Sequence, residues 1–431
     1  MGWKVREPRR RVGFVSTRIA GTDGVSLEAR KWAAILEGLG FECFYFAGES
    51  DTPPERTLLV PEAHFHHPRV ASLTERLFAA PIRSTADSLE VQRLRDEIKP
   101  HLRRFVREFD LTLLVAENAL SLPLNIPLGL ALVELIAETG LPTIAHHHDF
   151  TWERTRLAIH AAGDYLRAAF PPSLPSLRHV VINSFAARQL ALRAGISSVL
   201  IPNVMDFENP PPPPDEVSRG LRRDLGLAPG ERLLLQPTRV VPRKRIELAL
   251  ELTRRLHDGC TLLVSHAAGD EGSAYEKYLR GYADLLGVRV IFASDILAPQ
   301  RASLPEGRQV YSLADAYQQA ELVTYPSTVE GFGNAFIETL YYRRPIVMSS
   351  YEVFRTDIQP KGFRVIGFED FITDETVEQA RQVLERPELA AEMTEFNYEL
   401  GRRHYSFHTL ERRLTVLVQD TLGMEPSRWI A

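Results

Sequence analysis

Two glutamates, Glu330 and Glu338, flank a glycine turn in the stretch TYPSTVEGFGNAFIETLYYRRPIVMSS, residues 324–350. The run reads as apolar strand, Ser/Thr break, glycines Gly331 and Gly333, helix, and a second apolar strand. With a helix beginning near Gly333, Asn334 and Glu338 fall on one face, a turn apart. A carboxylate there can accept both hydroxyls of a ribose diol, while Glu330, on the loop, faces whatever lies beyond. The glycines let the backbone bend so that amides from Phe332 to Ala335 point at a ligand. A glutamate at a helix N-terminus is also favoured by the helix dipole alone. That simpler reading explains Glu330 or Glu338, but not both together with the two glycines.

Four other loops carry side chains suited to chemistry. In QPTRVVPRKRIELALELTRRL (236–256), Arg239 and Lys244 flank a proline turn ahead of a helix. A guanidinium and an ammonium converging there suit a diphosphate; with Arg243 and Arg245 alongside, a solvated basic turn explains the same residues. In STRIAGTDGVSLEARKW (16–32), Gly21 and Gly24 precede a helix starting near Ser26, whose free N–H groups would receive an anion. Such a turn also serves simply to join strand to helix. AHHHDFTWERTR (145–156) ends a strand in three histidines. Alternation puts His146 and His148 on one face and His147, as a satisfied core histidine, on the other. Two imidazoles with no third ligand in view do not make a metal site. Arg154 and Arg156, just beyond, either receive a phosphate or carboxylate or lie on a helix surface. VAENALSLPLNIPLG (115–129) leaves Glu117 and Asn118 at a strand end, facing where an acceptor would enter.

These loops need a scaffold, and the sequence supplies one. Short β-branched, apolar runs alternate with helical segments from end to end. They fall at 11–16, 41–48, 111–118, 142–149, 179–184 and 198–203, then at 232–238, 261–266, 288–294, 322–327, 345–350 and 363–368. Runs apolar on both faces with crossover helices describe parallel sheets covered on both sides. Two such series predict an α/β protein of two doubly wound domains, which bind ligands at the carboxyl ends of their strands. Between them lies MDFENPPPPPDEVSRG, whose prolines at 210–214 form a stiff connector. The expected division is 1–206, 207–400 and a helical tail, 401–431, packing back on the first domain.

The whole chain narrows the function classes. It has 431 residues, 44% apolar and 25% charged, with a net charge of −5 spread along it. A nucleic-acid partner would select a strongly basic surface, so none is expected. No run approaches the ~20 apolar residues of a membrane span, and the N-terminus lacks a signal-peptide core. Cys43 and Cys260 read as free thiols in a reducing, cytoplasmic setting. The helix VQRLRDEIKPHLRRFVREF (91–109) invites a membrane-surface role. Its interspersed acids, and Pro100, expected to break it, favour a solvated face.

EGFGNAFIE, with seven residues between its glutamates, resembles the signature of the family-four retaining glycosyltransferases of GT-B architecture. The glycine turn near the start, IPNVMDF before the linker, the Arg239-to-Lys244 spacing, AYQQAELVTYPS and the helical tail extend the resemblance over nearly the whole chain. It implies two Rossmann-like domains facing across a cleft, and transfer of a hexose from a nucleoside diphosphate sugar to a hydroxyl with retention. Arg239 and Lys244 would hold the donor diphosphate and Glu338 the ribose. Glu330 and the amides of Gly331, Phe332, Gly333 and Asn334 would grip the sugar, His148 would contact it, and Gly24 would allow closure over the phosphates. His148, Glu330, Arg239 and Lys244 are the catalytic set so implied. The family expectation is front-face displacement assisted by the leaving diphosphate. There is no Asp-x-Asp motif, so no obligatory divalent ion and no tightly bound cofactor is expected. The chain departs from the family at Thr238, usually glycine, and at Ala116, where some relatives carry a histidine; a base role for Glu117 is therefore open.

HHHDFTWER and VTYPSTVEGFGNAFIE further resemble enzymes that build small compatible solutes, the mannosylglucosyl-phosphoglycerate synthases. That implies GDP-mannose and a small phosphorylated acceptor, with Arg154 or Arg156 on its phosphate. The alternatives are a UDP-glucose-dependent transferase for polysaccharide or lipid acceptors, a pyridoxal-dependent phosphorylase of similar architecture, and a silent nucleotide-sugar-binding protein.

Overall fold

Most of the apolar runs become strands buried on both faces, as crossover topology demands; the runs at 198–203 and 288–294 give edge strands that are exposed or half-buried. A computed structural model describes residues 10–256, 259–267, 273–304 and 307–423. They divide into two units, one running to Pro202 and resuming at His408, the other spanning Asn203–Phe407. In the first unit, β1 (Arg11–Val15), β2 (Glu42–Ala47), β3 (Thr57–Leu59), β4 (Leu113–Glu117), β5 (Thr143–His147), β6 (Leu177–Val181) and β7 (Val199–Leu200) form a sheet ordered β3-β2-β1-β4-β5-β6-β7. All its pairings are parallel. In the second unit, β8 (Arg232–Gln236), β9 (Cys260–Val264), β10 (Val290–Phe292), β14 (Leu322–Tyr325), β15 (Ile346–Ser349) and β16 (Ile366–Phe368) form a parallel sheet ordered β10-β9-β8-β14-β15-β16. Between β10 and β14, three short strands, β11 (Leu297–Ala298), β12 (Ala302–Ser303) and β13 (Gln309–Ser312), make a small separate sheet that the apolar pattern did not announce.

Strand order reverses beside β1 in the first sheet and beside β8 in the second. Ligands bind at such reversals, outside the carboxyl ends of the strands. The loops after β1 and β4, and after β8 and β14, are therefore the ones to carry chemistry. They are the loops of Gly24, Glu117, Lys244 and Glu330.

The helix Thr85–Glu108 corrects one expectation: it runs unbroken through Pro100. Val91, Leu94, Ile98, Leu102 and Phe105 form its buried stripe, and Ser84 with Asp87 completes a capping box at its start. Pro100 lies on the exposed side, where the carbonyl it leaves unbonded reaches water. The basic residues of this helix are not a bare cationic face either. Lys99 bonds Glu134 and Glu138 at 2.6 Å each, Arg95 reaches Glu134 at 3.0 Å and Arg103 reaches Glu138 at 2.6 Å. No helix among the described residues is long and apolar enough to cross a membrane. The proline connector is tied to the second unit, where Gln318 Nε2 donates to the Pro212 carbonyl at 3.0 Å.

Packing of the buried stripe offsets the cost of Pro100, which for an interior proline is ~3 kcal/mol. Pro100→Ala restores the missing bond without disturbing packing, and should raise the thermal unfolding midpoint through a gain of ~1–3 kcal/mol. A lowered midpoint would show that the ring itself contributes packing.

Candidate active site

In the second unit the site begins with a buried amide. Gln236, at the end of β8, accepts from Thr324 Oγ1 of β14 at 2.7 Å and donates through Nε2 to Thr238 Oγ1 at 2.7 Å. The hydroxyl at the position expected to be glycine is thereby absorbed, and it steadies the turn that carries the exposed Arg239. The chain then passes through Pro242–Lys244 and a left-handed Arg245 (φ 48°) into the helix Ile246–Arg255.

Lys244 turns inward onto Glu330. Their side chains are 9% and 10% exposed and form a direct ion pair, with the ammonium 5.4 Å from the centre of the Tyr325 ring. Burial alone would raise the Glu330 carboxyl, but the Lys244 ammonium overrides it and holds the group below its ordinary range. Burial, with Arg243 and Arg239 nearby, draws Lys244 below its ordinary value even with Glu330 beside it. The two residues that the family resemblance assigns to diphosphate and sugar thus meet each other.

Beyond Glu330 the backbone is shaped by glycine. Gly333 has φ +110°, and a Cβ there would lie 2.5 Å from the Tyr351 hydroxyl and 3.2 Å from that of Tyr325. Only glycine fits both the dihedral and the space. Tyr351 in turn donates to the Phe332 carbonyl at 2.8 Å. The Phe332 side chain is core, edge-on to Tyr405, so only its backbone is placed to meet a ligand. Gly331 is exposed. The helix Asn334–Tyr341 starts without a side-chain cap. Asn334 Oδ1 accepts from Asn203 at 2.7 Å, and Glu338, a turn along, accepts from the Tyr317 hydroxyl at 3.0 Å. Asn203, in IPNVMDF, and Tyr317, in AYQQAELVTYPS, were given no role of their own by the sequence; both orient residues that were.

The first unit departs further from expectation. Its glycine loop starts the helix at Gly24, two residues before the predicted Ser26, and Asp23 caps it. The Asp23 carboxylate accepts from the N–H groups of Val25 at 3.1 Å and Ser26 at 3.2 Å. An anion arriving there meets a resident carboxylate at those amides.

Glu117 closes β4 opposite His146 of β5. It is only 1% exposed. Its Oε2 lies 2.9 Å from His146 Nδ1 and 3.3 Å from His148 Nε2. Burial would raise the Glu117 carboxyl, but His146 and then His148 outweigh it and bring the group to about 2. Burial lowers His146, whereas at His148 the Glu117 bond overcomes burial and raises the imidazole. Trp32 stacks on His146 with ring centres 4.1 Å apart. His147 points to the other side and meets His179 at 2.9 Å. Sequence reading found only two clustered imidazoles; the register supplies Glu117 as a third metal-type ligand, all within 4.8 Å.

Asn118, left-handed at φ 56° and 8% exposed, is likewise turned inward. Its Oδ1 accepts from Ser121 Oγ at 2.7 Å and the His148 N–H at 3.1 Å, and its Nδ2 donates to Asp149 at 2.9 Å. Asp149 is also held by Arg154, whose Nε lies at 2.7 Å, so this guanidinium serves an internal carboxylate. Arg156 is exposed on the short turn Thr155–Leu157. Glu153, which no sequence signal marked, bonds the Phe150 N–H at 2.9 Å and is pushed up to about 7 by burial.

No family model matches the chain. It is 33% identical to the mannosylglucosylglycerate synthase of Thermotoga maritima, covering 93% of this chain and 98% of that protein. To the mannosylglucosylglycerate synthase of Petrotoga mobilis it is 30% identical over 83% and 86% of the two. Among solved structures, sucrose-phosphate synthase from Thermosynechococcus elongatus superposes with a TM-score of 0.65 at 16% identity, covering 96% of this chain and 100% of that one. HepE of Anabaena, solved with UDP and glucose, gives 0.63 at 14% identity, over 95% and 100%. These neighbours share a GT-B fold of two Rossmann-like domains. The chain belongs to the mannosylglucosylglycerate synthase family of GT4-type glycosyltransferases.

Proposed function

We propose that this glycosyltransferase moves mannose from GDP-mannose to a hydroxyl of a small anionic acceptor, with retention at the anomeric carbon. The observation that carries the reading is the arrangement at the β8–β14 reversal: Lys244 on Glu330, glycine-shaped backbone, and Glu338 a turn into an uncapped helix. The names of the two relatives describe a mannosylated glucosylglycerate, which supports a mannosyl donor and an acceptor bearing a glycerate carboxylate. Arg239 and Lys244 take the diphosphate, Glu338 the ribose hydroxyls, and Glu330 with the Gly331–Asn334 backbone the sugar. His148 contacts the sugar, and Glu117, bonded to its ring, positions it rather than acting as a base. Gly24 stays a closure point for the phosphates. Asp149 already engages Arg154, so Arg156 is the guanidinium assigned to the acceptor anion.

Catalysis on this reading is electrostatic. Each fixed cation gains interaction energy as negative charge grows on the departing diphosphate, and no carboxylate nucleophile is assigned. The Glu117–His146–His148 cluster is read as a hydrogen-bonded set, because Glu117 Oε2 already serves both imidazoles. A cation would have to break those two contacts.

A nucleotide-release assay with GDP-mannose, UDP-glucose and ADP-glucose, each with glucosylglycerate, tests the assignment. Release of GDP alone is expected; release of UDP alone would move the protein to the UDP-sugar reading. Lys244→Ala should then slow turnover by several tens-fold or more, since losing a buried charge partner costs ~2–5 kcal/mol. Near-normal kcat at saturating donor would overturn the site. After EDTA treatment and desalting, turnover should be unchanged. Activity lost there and restored by one divalent cation would make the histidine cluster a metal centre.

A further inference from the structure

We propose that His266 is a third donor-binding side chain beside Arg239 and Lys244, and that it takes up a proton from solvent as the donor diphosphate binds. The proposal rests on the donor reading above and extends it to a residue that no motif singled out.

The placement follows from the sheet. Strands β8 and β9 pair in register with Gln236 opposite Val264, so both chains leave the sheet at the same edge. The Ser265 N–H donates to the Gln236 carbonyl at 3.2 Å, and the Val240 N–H donates to the Ala267 carbonyl at 3.3 Å. These two bonds lace the His266 segment to the turn that carries Arg239. The ring is half-buried, and its Nδ1 lies 2.6 Å from Ser265 Oγ, which leaves Nε2 as the nitrogen to meet a phosphate oxygen. Among the described residues, the charged groups that bear on this ring are the Arg239 guanidinium and the Lys244 ammonium. Burial first, and then these two cations, lower its pKa, so the ring stands neutral at pH 7. No described carboxylate compensates it; the nearest partner of Lys244 is Glu330.

A nucleoside diphosphate sugar brings one negative charge on each phosphate. Those charges oppose the field that keeps the imidazole neutral, and a charge-assisted bond from Nε2–H favours the imidazolium. When the sugar departs, a further negative charge appears on the terminal phosphate. The proton taken up on binding then faces charge that is greatest in the transition state and product, where a fixed donor is most useful.

The test is calorimetric titration of GDP-mannose, with UDP-glucose as a second arm, into the full-length enzyme at neutral pH. It is run in buffers of different ionisation enthalpy, so that protons taken up on binding are counted. Wild type should take up a proton, and His266→Gln and His266→Asn should not. Both amides keep a hydrogen-bonding group for Ser265. Each variant should bind more weakly than wild type, with the deficit widening as pH falls and approaching about tenfold for every unit by which binding raises the ring once pH lies below the pKa of the unbound ring. Proton uptake and affinity equal to wild type in both variants would overturn the proposal. Lys244→Ala separates the two levels. If it binds the donor as tightly as wild type, the donor reading itself fails. If it is weakened while the His266 variants are not, only the role of His266 fails.

Discussion

A buried ammonium against a buried carboxylate is the constraint on which the second unit's site depends. Leaving either Lys244 or Glu330 alone at that depth would cost about 3–5 kcal/mol. The pair therefore ties the turn after β8 to the loop after β14, the two strands that flank the reversal in strand order. The backbone repeats the tie, since the Thr328 N–H donates to the Arg243 carbonyl at 3.0 Å. A diphosphate that takes Lys244 must compete with Glu330 for it, and a sugar hydroxyl is the partner that would then satisfy the released carboxylate. Donor binding on this account is an exchange of partners rather than the filling of a preformed charge.

The first unit obeys the same rule with different chemistry. Glu117 is buried with two imidazoles on its Oε2, while its Oε1 has no hydrogen-bond partner among the described residues; Asn118 and Asp149 are satisfied by each other, by Ser121 and by Arg154. The two helix starts differ correspondingly. The helix Gly24–Gly38 has its leading amides taken by Asp23, whereas the helix Asn334–Tyr341 begins at a glycine that brings no side chain. Of the two, only the second presents its positive end without a resident carboxylate, which is what an anionic donor requires.

Much of this was legible in the order of residues because its physics is local. Strands buried on both faces are apolar throughout, and the glycine at 333 marks a dihedral that other residues resist. What escaped depends on partners distant in sequence. Glu117 and His146 are 29 residues apart and meet only through the register of β4 and β5. Arg154 looked available for an anion until Asp149 was placed against it. Pro100 looked like a helix end because its cost is local, while the stripe that outweighs it is tertiary. His266 gave no signal, since a lone histidine at a strand end acquires meaning only from the cations the neighbouring strand delivers. The three short strands between β10 and β14 are too brief to show a period.

The most direct measurement is a crystal structure of the enzyme with GDP-mannose. The account predicts the Lys244 ammonium within ~3 Å of a phosphate oxygen, its contact with Glu330 broken, and the Glu330 carboxylate on the sugar. A bound donor that leaves the Lys244–Glu330 pair intact, or that lies away from the β8–β14 reversal, would contradict it.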